Sequence, residues 1–296
     1  AYEIPKRDWS SDVCSSDLVK KQLNEISFGK KSEAEIDLSM FYHKQTLSEI
    51  VSLKNYLQKR AKSKNEDALD KWIRMIATNR LTGHSKNFFS VYTFPPNQAV
   101  SAERQKLINK QRNQKPEYKN VREIILKKTK DLLSTISEEQ KLLLKQIGKK
   151  AKFISQDARK TKNIKVNSVQ LTVTSPPFLD VVQYADDNWL RCWFNSLDVN
   201  EIAKNITMSK KIDDWCVVMS DVFKELFRIT KPNGYVAFEV GEVRNGKIKL
   251  DEYVVPLGED VGFRCKGIFN NEQTFTKTSD RKSTCLNSSH VSEFRM

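Results

Sequence analysis

The chain has 296 residues, of which 39% are hydrophobic and 30% charged, and 51 Lys+Arg against 37 Asp+Glu leave it a net charge of +14. No apolar run reaches the roughly 18 residues of a membrane-spanning helix. Of five cysteines, Cys192, Cys216 and Cys265 lie away from the chain ends and are widely spaced, forming neither a disulfide framework nor a zinc-ligand spacing, so a reducing cytoplasm is the expected setting.

Both ends require separate treatment. Asp8 to Leu18 reads DWSSDVCSSDL, the translation of a short-read sequencing adaptor. Asp280 to His290 reads DRKSTCLNSSH, the same adaptor translated from its other strand, with Cys285 alone departing. Residues 1–18 are therefore taken as adaptor-derived or unplaced and 280–296 as adaptor-derived, and both are set aside from fold reasoning. The remaining 19–279 are expected to be a fragment of a longer protein. They retain Cys192, Cys216 and Cys265, and His43 and His84 as the only histidines. That shortage argues against a metal hydrolase and against a Ser-His-Asp triad.

From Val19 to Asn163 there are 32 Lys+Arg against 15 Asp+Glu, a net of +17. From Ile164 to Ser279 the counts are 14 and 16, a net of −2. Such segregation suits a polyanionic partner, because each neutralised phosphate releases counterions. A solvated helical surface is the alternative. Within the basic half, Leu47, Ile50 and Val51 open a helix running past Leu57. Leu69, Trp72, Ile73 and Ile76 follow the i, i+3, i+4, i+7 spacing of one buried face. A further helix starts near Val121 and carries Ile125, Leu132 and Ile136. Ser137-Glu138-Glu139-Gln140 is a capping box restarting a helix that ends near Gly148. Between these lies Asn79 to Lys86, followed by Phe88 to Tyr92, a mixture of cations, hydroxyls and aromatics. Arg80, His84 and Lys86 are its candidates for DNA contact; an ordinary buried loop fits the same residues.

The second half alternates strands and helices. Val169 to Val173 is strand-like and leads into Thr174-Ser175-Pro176-Pro177-Phe178. The prolines fix φ and remove two N–H donors, so this turn is stiff and offers carbonyls as acceptors. Tyr184 to Phe194 reads as a helix lying over the turn. Trp215, Val218, Met219, Val222, Phe223 and Leu226 form a strong amphipathic helix, stopped at Lys231-Pro232-Asn233-Gly234. Tyr235 to Val240 is a buried strand. Arg264 to Phe269 and Gln273 to Phe275 are expected as the last two strands, the final one antiparallel.

This succession resembles the second half of DNA amino-methyltransferases, which move a methyl group from S-adenosyl-L-methionine to the exocyclic nitrogen of a flipped base. Looser phrases of the same kind occur in the basic half, at Phe41-Tyr42-His43 and Phe94-Pro95-Pro96-Asn97. The resemblance implies an α/β fold: a partial class I (Rossmann-like) methyltransferase sheet, preceded by a basic helical region. On that reading 19–163 binds DNA and recognises the target, and 164–279 is the C-terminal part of the catalytic domain. Ser175 and the Pro176 carbonyl would accept hydrogen bonds from the target amine, Pro177 would lock the turn, and Phe178 would stack on the base. Asp180 and Tyr184 are near enough in sequence to support them. Serine at the first position favours cytosine N4; adenine N6, an RNA or protein amide target, and a non-catalytic DNA-binding module stay open. The implied partners are double-stranded DNA and a cognate restriction endonuclease, with no membrane. One element of the family is missing. No Phe-x-Gly-x-Gly turn occurs, and Val240-Gly241-Glu242 and Asn245-Gly246 lack its spacing. The missing piece is expected upstream, and the chain shown is expected to bind the cofactor weakly or not at all and to be inactive.

Overall fold

A computed structural model describes residues 16–28, 32–94, 100–177, 179, 184–205, 209, 211–243, 247–276 and 284–296, with backbone alone for 271–290. The chain divides into two compact units. One contains Glu3–Phe153 and Gln183–Ala203, the other Ile154–Val182 and Lys204–Met296.

The first unit is helical. Its helices are α1 (Ser16–Glu25), α2 (Lys44–Lys62), α3 (Ala68–Arg80), α4 (Ala102–Gln111), α5 (Val121–Leu133), α6 (Glu138–Lys150) and α7 (Tyr184–Asn195), and a short α8 (Val199–Asn205) leads out of it. The apolar stripes act as expected: Ile50, Leu53 and Leu57 of α2, Ile73 and Ile76 of α3, and Val121 and Ile125 of α5 close one core with Phe41 and Phe89. Ser137 and Gln140 form the reciprocal cap of α6, which runs past Gly148 to Lys150 and buries none of its residues. Helix α4 carries little apolar signal; it is started by Ser101, which accepts from the Arg104 amide, and it buries Gln105 and Ile108. Helix α1 begins inside the segment set aside as adaptor-derived, and its Val19 and Leu23 are fully buried.

Helix α7 belongs to the helical unit, where its Leu190 and Phe194 complete the core. The Trp189 ring lies 6.0 Å from that of Phe41, and the Asn195 amide donates to Thr78 Oγ1 at 3.1 Å. Both faces of an aromatic-rich helix look apolar in sequence, and the partner is chosen by packing.

The second unit is a sheet backed by helices: β1 (Val169–Thr174), α9 (Ile212–Ile229), β2 (Thr230–Val243), β3 (Ile248–Lys249), α10 (Asp251–Asp260), β4 (Arg264–Thr276) and β5 (Thr284–Arg295). The strand order is β1-β2-β5-β4, with β3 paired to β2. Strands β1 and β2 are parallel, and β5 runs antiparallel to both β2 and β4. Trp215, Met219, Phe223 and Leu226 of α9 pack against Val236, Phe238, Val240 and Phe294 in one core. Lys231 to Gly234 loop out of β2, since the register passes from Val169↔Thr230 to Leu171↔Tyr235. Asn233 takes a left-handed φ of 63° there, and a Cβ on Gly234 would lie 2.7 Å from Thr230 Cγ2.

The closing strands are corrected. Arg264 to Phe269 and Gln273 to Phe275 are not two strands but parts of the single β4, because Asn270 and Asn271 keep ladder partners in His290 and Ser289. The antiparallel final strand is β5, drawn from 280–296, and Phe294 is fully buried with its ring 5.2 Å from that of Phe223. Helix α10 escaped the sequence reading because Pro256 lies inside it. No described helix is long and apolar enough to cross a membrane.

Candidate functional site

The Ser-Pro-Pro turn leaves the carboxyl end of β1. Thr174 is level with Phe238, and β2 continues beyond it to Val243. In open α/β sheets such strand ends are where ligands bind. Ser175 and Pro176 each precede a proline, which disfavours helical backbone and favours an extended one at both. Ser175 is exposed, Pro176 buried and Pro177 half-buried, and Leu179 follows at 1% exposure. Two buried anchors thus flank the turn while it presents the serine. No described residue bonds the Ser175 hydroxyl. Phe178 and Asp180 lie outside the described residues, as does Asn245-Gly246. Tyr184 begins α7 in the helical unit.

One contact was missed by sequence reasoning. Trp215, 1% exposed on α9, donates its indole N–H to the Pro177 carbonyl at 3.0 Å. The available signal was a buried tryptophan, whose N–H must find an acceptor. Beside it, burial pushes the Cys216 thiol up, with Asp213 adding to the effect, and burial does the same to Cys192. Both thiols are held neutral, opposite to the depressed pKa that thiolate attack needs.

In the helical unit, the 80–93 segment is a tightly held loop. Phe89 N–H donates to the Arg80 carbonyl at 2.8 Å, Thr93 N–H to that of Gly83 at 3.1 Å, and the Tyr42 hydroxyl to that of Leu81 at 3.0 Å. Leu81, Gly83, Phe88, Phe89 and Ser90 are buried, while His84, Ser85, Lys86 and Asn87 form an exposed tip. Gly83 is required by space, since a Cβ would meet the Phe88 ring at 2.5 Å. His84 and Lys86 share the exposed tip, while Arg80 is half-buried at its base, and the His84 and Phe88 ring centres are 6.2 Å apart. The Arg80 guanidinium lies 4.1 Å from the centre of the Phe88 ring, and its Nε is buried without a partner among the described residues. Burial pushes its pKa down. Phe41 and Tyr42 are core residues, and His43 caps α2 by accepting from the Gln45 amide at 3.2 Å.

The methyl-donor site implied by the resemblance can be tested against the glycines, whose lack of a Cβ lets a ligand approach closely. At Gly234, Gly258 and Gly262 the space is filled by the chain itself: by Thr230 and Lys231, by the Phe294 ring, and by the Phe227 ring. None of these three is a ligand cradle.

No family model matches the chain, and no curated protein does. Among solved structures, a proposed DNA modification methylase from Thermus thermophilus matches at 19% identity and a TM-score of 0.29, over 47% of this chain and 50% of that one. Its complex with S-adenosyl-L-methionine matches at 16% identity and 0.30. A SAM-dependent methyltransferase from Methanosarcina mazei matches at 12% identity and 0.28, over 54% of this chain and 78% of that one. The chain spans about half the length of the first of these. At such scores the likeness assigns no function.

Proposed function

We propose that the chain is part of an S-adenosyl-L-methionine-dependent DNA methyltransferase acting on the exocyclic amine of an extruded base, with cytosine N4 favoured by Ser175. One observation carries the reading. Ser175 and Pro176 follow the carboxyl end of a parallel strand, Ser175 is exposed, and the next carbonyl is engaged by Trp215. Two acceptors at an amine hold its lone pair in one direction, and orientation of that kind supplies much of the acceleration of a displacement. The amine can release its proton after the methyl arrives, so no prior general base is required. Phe178 is proposed to stack on the base, and His84 and Lys86 to meet the phosphate backbone from the exposed tip of their loop. Arg80 acts there as the stacked support of Phe88. The donor, when bound, supplies an electrophilic methyl.

The observation favouring the rival reading, a DNA-binding module without chemistry, is the net charge of +17 over Val19 to Asn163. The discriminating experiment incubates the protein expressed from a restored full-length gene with methyl-labelled S-adenosyl-L-methionine and unmethylated DNA and analyses the nucleosides by chromatography. N4-methylcytosine that falls on the order of a hundredfold in Ser175→Ala supports the enzyme. N6-methyladenine moves the target base. DNA binding with no methylated nucleoside supports the rival.

A further inference from the structure

We propose that Trp215 is a positioning residue, which aims the base-gripping acceptors by fixing the carbonyl that follows them. The inference rests on the amine-gripping role of Ser175 and Pro176. Its physical basis lies in three facts. First, the prolines that follow Ser175 and Pro176 favour extended backbone at both, and in such backbone successive carbonyls turn by about a third of a revolution per residue. Second, the prolines have no N–H, so the turn cannot be held by its own backbone donors at those positions. Third, the Pro177 carbonyl accepts from a Trp215 indole that is 1% exposed and locked in the core between Met219, Phe223 and the sheet.

These facts act together. Between the end of β1 and buried Leu179, the donor from α9 adds a fixed direction for one carbonyl of this stiff segment. With the Pro177 carbonyl turned onto α9, the Pro176 carbonyl is set about a third of a revolution away, and the Ser175 side chain stays exposed. The hydrogen bond also removes the Pro177 carbonyl as a competing acceptor, so an incoming amine meets a single arrangement. A phenyl side chain at 215 would keep an aromatic ring in the core but could not donate to the Pro177 carbonyl.

The test compares binding of equal-length oligodeoxycytidylate, oligodeoxyadenylate and oligodeoxythymidylate to the chain, to Ser175→Ala and to Trp215→Phe. Phosphate contacts are common to all three oligomers, and only the first two bear an exocyclic amine. The readout is the affinity ratio of the better amine-bearing oligomer over oligodeoxythymidylate. Trp215→Phe is expected to lower that ratio about three- to tenfold while leaving oligodeoxythymidylate binding unchanged, an effect that a purely structural role would not produce. Thermal unfolding by circular dichroism shows that the variant folds. If it does not, 3-benzothienylalanine at position 215, which matches the indole in shape but lacks the N–H, takes its place. A ratio that drops in Ser175→Ala but not on loss of the 215 N–H overturns the role of Trp215 alone. A ratio near one in the unaltered chain overturns the amine-gripping reading, and the positioning role with it.

Discussion

The ammonium of Lys119 donates to the backbone carbonyl of Phe88 at 2.9 Å, and it also reaches that of Ser90. A cation in the basic half of this chain is thereby withdrawn from solvent to hold a loop, and its burial pushes its pKa down. Lys119→Met keeps most of the side-chain volume and leaves two carbonyls unpaired. The expected cost is about 1–3 kcal/mol, with faster proteolysis between Gly83 and Ser90. Denaturant melts and limited proteolysis measure both. An unchanged melt together with an unchanged cleavage rate would show that the loop stands without its lysine.

Lys86 should behave differently, since it lies on the exposed tip. Lys86→Ala is expected to leave the melt unchanged. It should weaken DNA binding a few-fold and reduce the slope of log affinity against log salt by about 0.9, the share of one phosphate contact. A salt titration by fluorescence anisotropy reads this directly, and an unaltered slope removes Lys86 from the interface.

Glu225 anchors the approach to β1. Arg228 donates to both of its oxygens, at 2.6 and 2.7 Å, and the Thr161 amide donates at 2.6 Å. The same guanidinium holds the carbonyls of Thr161 and Ile164. The Arg228 hydrogen bonds, helped by Thr161 and opposed by burial, pull the Glu225 pKa from 4.5 to about 2. A carboxylate with a depressed folded-state pKa stabilises fully above its unfolded value, and that contribution is lost as pH falls through the folded one. Glu225→Gln should therefore melt below the unaltered protein at pH 7. The gap should begin to narrow below about pH 4.5 and close near pH 2. Thermal melts across that range test it, and a gap independent of pH would mean that the carboxylate charge contributes nothing.

Much of the fold was legible residue by residue. The α3 stripe at Leu69, Trp72, Ile73 and Ile76, the Ser137–Gln140 cap, the α9 face ending at Lys231-Pro232-Asn233-Gly234 and the buried strand after it all follow from patterns a few residues long. Helix α4 was not legible because its buried Gln105 bonds outward, donating to the Tyr92 carbonyl at 3.0 Å, and polar anchors leave no periodic trace. The β4 and β5 pairing was not legible because Asn270 and Asn271 serve a turn or a ladder equally well until a partner strand is present.

Sequence by itself determined the chemistry at the carboxyl end of β1: a serine, two prolines and the extended backbone they favour, with a cationic half before them. These are properties of bonds and rings within adjacent residues. Tertiary structure alone decided that α7 completes the helical core, that Arg80 turns back onto Phe88 while Lys86 faces outward, and that Trp215 holds Pro177. Each of those depends on which distant group satisfies a buried donor or fills a space, and a local pattern contains no information about a partner 38 residues away.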